Sequence, residues 1–375
     1  MNKSVLFTAK VDQHIINFHL PYLRYLKELG YTVHVACHGD KTIPYADQVY
    51  QLPLIQSPTN IKQVRSAYQT LKQLTKENKY CLVHCHTPVI GVLTRLATIP
   101  LRKQGTKILY TAHGFHFYKG APLSHWLLYF PAEKFLSRYT DVLITINQED
   151  YNNTVKYHFK AKDVQLIPGV GVDLTAYSPE AFPDKKTLRQ KHNYNEADFI
   201  LLYVAELNKN KNQALLIEMM ETVAEELPEV KLLLVGDGEE AQEHQALVQK
   251  KHLEKNIKFL GFREDVGELL KLADVSVSTS KREGLPVNIL EAMAMKKPLI
   301  VTNVRGNRDL VSDEENGFLV NDLKELIAGV LMLYRFEETG EAFGQVSREK
   351  VKHYSLEAIF KQMKDLYDQA LIKSQ

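Results

Sequence analysis

Cysteine and tryptophan are scarce in this sequence, and long apolar runs are absent from it. Its three cysteines, Cys37, Cys81 and Cys85, are too few and too irregularly placed for a disulfide framework, which favours a reducing compartment. No run reaches the roughly 18 apolar residues of a membrane-spanning helix. The first residues lack the apolar segment and cleavage site of a signal peptide. We therefore expect a cytoplasmic protein that is at most peripherally associated with the cytoplasmic face of a membrane.

The whole chain has a formal net charge of +2, without a large excess of either sign. Its two halves, however, differ strongly in charge. Residues 1–170 carry 20 Lys and Arg against 10 Asp and Glu, whereas the remainder carries 27 against 35. A basic half favours an anionic partner, which can be a nucleic acid, an anionic lipid surface or a phosphorylated acceptor. With 375 residues, either half is long enough for a core of its own.

Strand-like apolar runs alternate with helical patterns along the chain. Residues 5–9 form the first strand, a helical pattern follows and stops at Gly30, and residues 31–36 form the next strand. This order predicts a parallel α/β sheet with ligands at its carboxyl edge. We interpret Lys10 to His14 as a loop at that edge, whose lysine or histidine reaches a phosphate. Because no Gly-x-Gly-x-x-Gly follows the first strand, a dinucleotide-dependent dehydrogenase is disfavoured.

Two cysteines and two histidines on the predicted strand at residues 80–86 invite a metal interpretation. Successive side chains of a strand point to opposite faces, so Cys81 and Cys85 point away from His84 and His86. A structural zinc site needs four converging ligands, so we expect no metal here. His86, at the carboxyl end of the strand, is instead a candidate for the acceptor side of a site.

Residues 278–295 hold the most informative pattern in the chain. A buried strand ends there, Gly284 turns the chain, and Pro286 suits the first turn of a helix. The N–H groups of Val287 and Asn288 then lack intrahelical acceptors and, together with the helix dipole, form an anion site.

Two carboxylates flank this helix start. Glu283 lies in the turn and Glu291 lies inside the helix. A carboxylate accepts charge-assisted hydrogen bonds from neighbouring hydroxyl groups, as in a sugar or a ribose. From spacing alone, two ordinary surface glutamates are an equally good interpretation.

The segment from Glu283 to Glu291 closely resembles the E-x7-E signature of the retaining glycosyltransferases of family 4. The resemblance implies the α/β fold called GT-B, in which two Rossmann-like β/α/β domains face each other across a cleft and a C-terminal helix crosses back to the N-terminal domain. It further implies that Glu283 contacts the donor sugar and Glu291 the ribose.

The resemblance extends over nearly the whole chain and is strongest at residues 199–320. It implies an acceptor-binding domain at residues 1–170 and a nucleotide-sugar-binding domain at residues 171–352. Residues 353–375 then form a helix that packs back on the first domain.

Further roles follow from the same resemblance. The family's His-Gly histidine, which contacts the donor sugar near the reacting carbon, corresponds to His113, and the lysine on the donor diphosphate corresponds to Lys211. The family's arginine position holds Glu206, which cannot bind phosphate. We predict that His113, Lys211 and Glu283 are catalytic. The predicted donor-binding residues are Gly236, Phe262, Arg263, Gly284, Leu285, Pro286, Val287, Asn288 and Glu291, and the acceptor-side candidates are Lys10, His14 and His86.

An aromatic and basic stretch at residues 118–138 has two interpretations. The run is rich in aromatic residues and leucine, and it also contains the basic residues Lys119, Lys134 and Arg138. This composition is typical of an interfacial helix on an anionic membrane. It is equally typical of a core helix that packs on the sheet.

We therefore expect a retaining glycosyltransferase that moves a hexosyl or N-acetylhexosaminyl group from a UDP-linked donor to a lipid-linked saccharide in cell-surface polysaccharide synthesis. No cofactor or metal is expected, because helix N–H groups and lysines stabilise the departing diphosphate. The expected partners are the nucleotide sugar, the lipid-linked acceptor and the inner membrane face, without nucleic acid. Two alternatives remain: a nucleotide-sugar 2-epimerase of the same fold, and a non-catalytic subunit that scaffolds a partner transferase, which Glu206 motivates.

Overall fold

The computed structural model describes residues 3–57 and 59–372 and divides into two compact units. The first unit consists of the residues up to Gly169 together with those from Ile359 onward, and the second unit is Val170–Ala358. Each unit is an α/β layer structure around one parallel sheet. Among the described residues, no helix is both long and apolar enough to cross a membrane.

The first unit contains a seven-stranded parallel sheet in the order β3-β2-β1-β4-β5-β6-β7. Its strands are β1 Ser4–Val11, β2 Thr32–His38, β3 Gln48–Gln51, β4 Leu82–His86, β5 Lys107–Ala112, β6 Val142–Thr145 and β7 Asp163–Leu166. The central strands are buried on both faces, as expected for a parallel sheet covered by helices, and therefore consist of nearly continuous apolar residues. The sheet order places the carboxyl ends of β1, β4 and β5 side by side.

Helices cover both faces of this sheet. They are α1 Asp12–Phe18, α2 Leu20–Glu28, α3 Ile61–Glu77, α4 Pro88–Ala97, α5 Ile99–Arg102, α6 Leu123–Ser137 and α7 Gln148–Lys156. The segment Lys10 to His14, predicted as a loop, is instead the end of β1 and the start of α1, so that prediction was wrong. Asp12, the first residue of α1, is buried, and its carboxylate accepts hydrogen bonds from the backbone N–H groups of Gln13 and Lys41.

The second unit has a six-stranded parallel sheet in the order β10-β9-β8-β11-β12-β13. Its strands are β8 Phe199–Val204, β9 Val230–Val235, β10 Ile257–Gly261, β11 Val275–Ser278, β12 Leu299–Thr302 and β13 Gly317–Val320. Its helices are α8 Lys185–Lys191, α9 Gln213–Glu226, α10 Ala241–Lys250, α11 Val266–Leu272, α12 Val287–Ala294, α13 Asn307–Leu310, α14 Leu323–Arg335 and α15 Glu337–Val351, and short 3-10 helices lie at Pro179–Ala181 and Lys352–Tyr354.

The last helix, α16 Leu356–Ile372, supplies a large part of the core of the first unit. The side chains that it buries there are Ile359, Met363, Leu366, Tyr367, Ala370 and Leu371, which pack with β1, β2 and α2. The hydroxyl of Tyr367 lies 2.7 Å from Nδ1 of the buried His84. The first unit is therefore built from both ends of the chain.

Helix α6 satisfies part of each sequence interpretation. Trp126, Tyr129 and Phe130 pack against an aromatic cluster beneath the helix. Leu123 and Leu127, by contrast, are 80% and 78% exposed. The helix thus has a core-facing aromatic side and an outward apolar edge.

Candidate functional site

The carboxyl edge of the second sheet brings together two loops that are distant in sequence. Strands β8 and β11 are hydrogen-bonded neighbours, so the segment after each strand leaves the sheet at the same place. Lys281 N–H donates to the carbonyl of Asn210 at 2.7 Å, and the Asn210 side-chain amide donates to the carbonyl of Arg282 at 3.0 Å. The two loops are therefore fixed to each other by backbone groups.

An ion pair joins the side chains of these two loops. Nζ of Lys211 lies 2.6 Å from Oε1 of Glu283, and the two side chains are 21% and 10% exposed. The carbonyl of Lys211 accepts hydrogen bonds from the hydroxyls of Tyr203 and Thr279, at 3.1 and 3.2 Å. A lysine and a glutamate that are 72 residues apart thus meet at the sheet edge with their backbones held in place.

The backbone around Glu283 is supported from a third loop. Nε of the buried Arg305 donates to the carbonyl of Glu283 at 2.9 Å. Gly306 has a φ of +82°, and a Cβ at this position would lie 2.6 Å from the carbonyl oxygen of Gly284. Only glycine allows this close approach, so the third loop holds the turn before α12.

Helix α12 begins at Val287, one residue after Pro286, which caps the helix in an extended conformation. Leu285 and Pro286 are buried, so the side chains of these two predicted donor-binding residues support the turn. The side-chain amide of Asn288 donates to the carbonyl of Val204 at 2.9 Å. The first N–H groups of α12 have no intrahelical acceptors, as at any helix start.

Glu291 lies further along α12, where burial raises the pKa of its carboxyl group from 4.5 to about 7. The hydroxyl of Tyr177 hydrogen-bonds this carboxylate and partly offsets the effect of burial on the pKa. At this pKa the carboxyl group of Glu291 is partly protonated near neutral pH.

Three other predicted donor residues surround the ends of β9 and β10. Gly236 has a φ of +132°, and a Cβ there would lie 2.1 Å from the carbonyl oxygen of Ala205, so its role is close backbone packing. The ring of Phe262 is 73% exposed and is free to stack on a planar group. Nε of Arg263 donates to Asp265 at 2.7 Å, which occupies part of its guanidinium.

Glu206, at the family's arginine position, is exposed at the start of the same loop as Lys211. Its carboxylate accepts a hydrogen bond from the side-chain amide of Asn208 at 2.9 Å. A cation is therefore missing at this point of the loop, and Lys211 is the lysine that the structure places against Glu283.

The carboxyl edge of the first sheet carries a cluster of histidines. His14 comes from α1, His19 lies between α1 and α2, His86 ends β4 and His113 follows β5. Nε2 of His113 lies 3.4 Å from Nδ1 of His86, and the rings of His14 and His113 meet edge to face with centroids 4.6 Å apart.

Other predicted residues of the first unit lie outside this cluster. Lys10 is exposed, and the segment that was expected to present it as a loop is regular structure. Cys85 directs its thiol toward the carbonyl of Leu109 at 3.4 Å, away from His86, in line with the expected alternation along the strand.

The structure thus brings Lys211, Glu283 and the start of α12 together in the second unit, and His14, His86 and His113 together in the first. Sequence reasoning missed three residues: His19, Tyr177 and Arg305. The repeated histidines after the first strand were a usable signal for His19. No local pattern marks the other two, because each acts on a glutamate far away in sequence.

The comparisons with known proteins agree with this architecture. Residues 184–350 match the family described as glycosyl transferases group 1, and residues 22–175 match glycosyltransferase family 4. A Bacillus subtilis (strain 168) protein named as the glycosyltransferase EpsD is 43% identical over 98% of this chain and 97% of its own length. The Escherichia coli UDP-Gal:alpha-D-GlcNAc-diphosphoundecaprenol alpha-1,3-galactosyltransferase is 34% identical over 71% of this chain and 69% of its own length.

Solved structures show the same fold at low sequence identity. Anabaena Alr3699/HepE in complex with UDP-glucose has a TM-score of 0.79 at 21% identity and covers 98% of this chain and 99% of its own. WaaG, a glycosyltransferase involved in lipopolysaccharide biosynthesis, has a TM-score of 0.76 at 18% identity, covering 96% and 99%. The chain therefore belongs to family 4 of the glycosyltransferases and is a transferase enzyme with the GT-B fold.

Proposed function

We propose that this enzyme transfers a hexosyl or N-acetylhexosaminyl group, with retention of configuration, from a UDP-sugar to a lipid-linked saccharide during cell-surface polysaccharide synthesis. The observation that carries the proposal is the Lys211–Glu283 ion pair at the start of α12. It places a cation, a carboxylate and unpaired helix N–H groups at one edge of the sheet, where a phosphorylated sugar needs them.

Each group has a distinct task in this proposal. Lys211 and the first N–H groups of α12 stabilise the negative charge that develops on the departing diphosphate. Glu283 accepts hydrogen bonds from sugar hydroxyls, and Glu291 accepts them from the ribose. The exposed ring of Phe262 stacks on the base. From the resemblance alone, we assign His113 to the donor sugar.

No divalent metal on the donor diphosphate is part of this proposal. The acceptor hydroxyl attacks from the face on which the diphosphate leaves, and the leaving phosphate oxygen takes its proton. The bond from the anomeric carbon to the phosphate oxygen breaks as the new glycosidic bond forms, so no pair of carboxylates flanking that carbon is required.

The nature of the acceptor is inferred from relatives and from helix α6. The Escherichia coli relative is named for a diphosphoundecaprenol-linked acceptor, and the capsular polysaccharide glycosyltransferase CapM of Staphylococcus aureus is 22% identical over 94% of this chain. The outward apolar edge of α6, formed by Leu123, Leu127 and Leu128, has the character of a membrane-facing surface next to basic residues. Peripheral attachment to the inner membrane face is therefore part of the proposal.

The proposal is tested by measuring the slow hydrolysis of a panel of nucleotide sugars by the purified enzyme, first with EDTA and then with added Mg²⁺. We expect one UDP-sugar to be cleaved at the same rate in both conditions and Glu283→Gln and Lys211→Met to abolish cleavage. Lys250→Met, which changes an exposed lysine of the same unit, serves as the matched control. With a lipid-linked acceptor, NMR of the product should show an unchanged anomeric configuration.

Other outcomes separate the alternatives. A strict requirement for Mg²⁺ would overturn the metal-free mechanism. Release of an epimerised sugar in place of transfer would identify a nucleotide-sugar 2-epimerase. Tight binding of a donor without turnover in the presence of any lipid-linked acceptor would identify a scaffolding subunit.

A further inference from the structure

The histidine cluster of the first unit contains more polar nitrogen atoms than its surroundings satisfy. Among the described residues, Nε2 of His14, both ring nitrogens of His19 and Nε2 of His86 are buried without a hydrogen-bond partner. His19 and His86 are 3% and 0% exposed. Buried polar atoms in proteins are nearly always paired, so four unpaired nitrogens in one place call for a ligand.

Together with His113, these histidines can offer four ligands to a single metal ion. One ring nitrogen from each of His14, His19, His86 and His113 lies within 4.8 Å of all the others. Nδ1 of His86 and Nε2 of His113, which face each other, are 3.4 Å apart. Two ligands of a tetrahedral zinc ion, each about 2.0–2.1 Å from the metal, are roughly 3.3 Å apart.

We propose that His14, His19, His86 and His113 bind one borderline transition-metal ion, with Zn²⁺ as the probe, and that this ion fixes the ring of His113. Imidazole is the preferred protein ligand of such ions. With Nε2 of His113 directed at the ion, Nδ1 remains as the polar atom of this ring for contact with a substrate. The ligands all belong to the first unit, and no metal ion is part of the proposed function; the inference rests on that function only for the role of His113.

Two other groups of polar side chains already have hydrogen-bond or ion-pair partners, unlike the four proposed ligands. His84 lies against His86, with ring centroids 4.0 Å apart, but its two nitrogens already face the hydroxyls of Tyr367 and Thr111 at 2.7 and 2.8 Å. In the second unit, Asp265 and Glu268 lie near His192, and both carboxylates are already paired with cations. Neither group needs a ligand.

The proposal is tested by metal uptake in the full, untagged chain. After incubation with Zn²⁺ or Co²⁺ and removal of the free ion, elemental analysis should find one ion per chain. The Co²⁺ form should show the intense visible absorption of a tetrahedral site. His19→Gln and His86→Gln should each weaken binding roughly tenfold or more. His244→Gln, at a buried histidine of the second unit, should not weaken it.

Each result decides the question without a transfer assay. Uptake well below one ion per chain, uptake unchanged by both ligand substitutions, or an octahedral Co²⁺ spectrum overturns the proposal. If His19→Gln and His86→Gln do not fold, the Co²⁺ spectrum of the unsubstituted chain and the His14→Gln variant, at a less buried position, still decide it. Because the readouts are metal content and absorption, failure here leaves the proposed transferase mechanism untouched, and the reverse also holds.

Discussion

Lys211 and Glu283 form an ion pair in the structure, and in the proposed function both exchange this contact for contacts with the donor. We predict that Lys211→Met lowers kcat by about 100- to 1,000-fold, because it removes the cation proposed to stabilise the leaving diphosphate. Glu283→Gln should cause a loss of similar size. Steady-state kinetics with the identified donor and acceptor measures both effects.

The double variant provides the control for this prediction. Residues that contact each other and act together are not additive, so Lys211→Met with Glu283→Gln should lose little more than the worse single variant. If the double variant instead loses activity by the product of the two single-variant factors, the residues act independently and their ion pair has no role in catalysis. Unchanged thermal unfolding of each variant is needed before either result is read.

Glu291 should make donor binding depend on pH. In the proposed function this carboxyl group accepts hydrogen bonds from the ribose hydroxyls, most strongly when it is ionised, and burial raises its pKa to about 7. Donor affinity should therefore rise as the pH increases from 6 to 8, and Glu291→Gln should remove this dependence. Isothermal titration of UDP across this range is the measurement, and a pH-independent affinity of the unsubstituted enzyme would contradict the prediction.

The same group affects stability with the opposite sign. Its folded-state pKa lies above the ordinary value of 4.5, so the unfolded chain loses this proton first. The folded state should therefore lose stability as the pH rises from about 4.5 to about 7, by at most about 3 kcal/mol. Urea unfolding of Glu291→Gln should show a flatter pH profile between these values, whereas an identical profile would mean that Glu291 is not the cause.

At the scale of elements, helix α6 shows why composition alone left two interpretations open. An aromatic and leucine-rich helix can bury one side and expose another, and only packing decides which residues are outside. Here Trp126, Tyr129 and Phe130 face the core, whereas three leucines and Phe135 face outward.

We predict that the outward edge of α6 binds anionic membranes. Leu123→Ser with Leu127→Ser should weaken co-sedimentation with anionic vesicles by roughly tenfold or more, because each leucine loses its apolar contact with lipid. Stability should hardly change, since both side chains are exposed in the folded protein. Val155→Ser, at an exposed apolar residue of α7, is the matched control; equal losses in both variants would mean that the patch is not specific.

At the scale of the whole molecule, the first unit depends on a helix that follows the second unit in the chain. Removal of residues 359–375 takes Ile359, Met363 and Tyr367 out of its core and leaves Nδ1 of His84 without its partner. We predict that this truncation unfolds or loosens the first unit and leaves the second intact. Hydrogen exchange should then show lost protection in β1 and β2 and retained protection in β8 and β9. Uniform loss across both units would mean that they fold as one.

The sequence alone determined the fold class and the strand–turn–helix segment that holds Glu283 and Glu291. Apolar strands that alternate with helical patterns are a local signal, and the motif from Glu283 to Glu291 lies within one strand–turn–helix segment, so its geometry follows from neighbouring residues. The GT-B fold and the membership in family 4 were predicted from the resemblance of this motif to the family signature and are confirmed by the comparisons.

Only the tertiary structure decided which distant side chains meet. Lys211 faces Glu283, Arg305 holds the carbonyl of Glu283, and Tyr177 meets Glu291, through contacts across sheet edges and loops that no sequence window contains. The histidine cluster is the clearest case. Its four members belong to four segments and converge because parallel strands end at a common edge, so their burial and their unpaired nitrogens are properties of the sheet order and not of any local pattern.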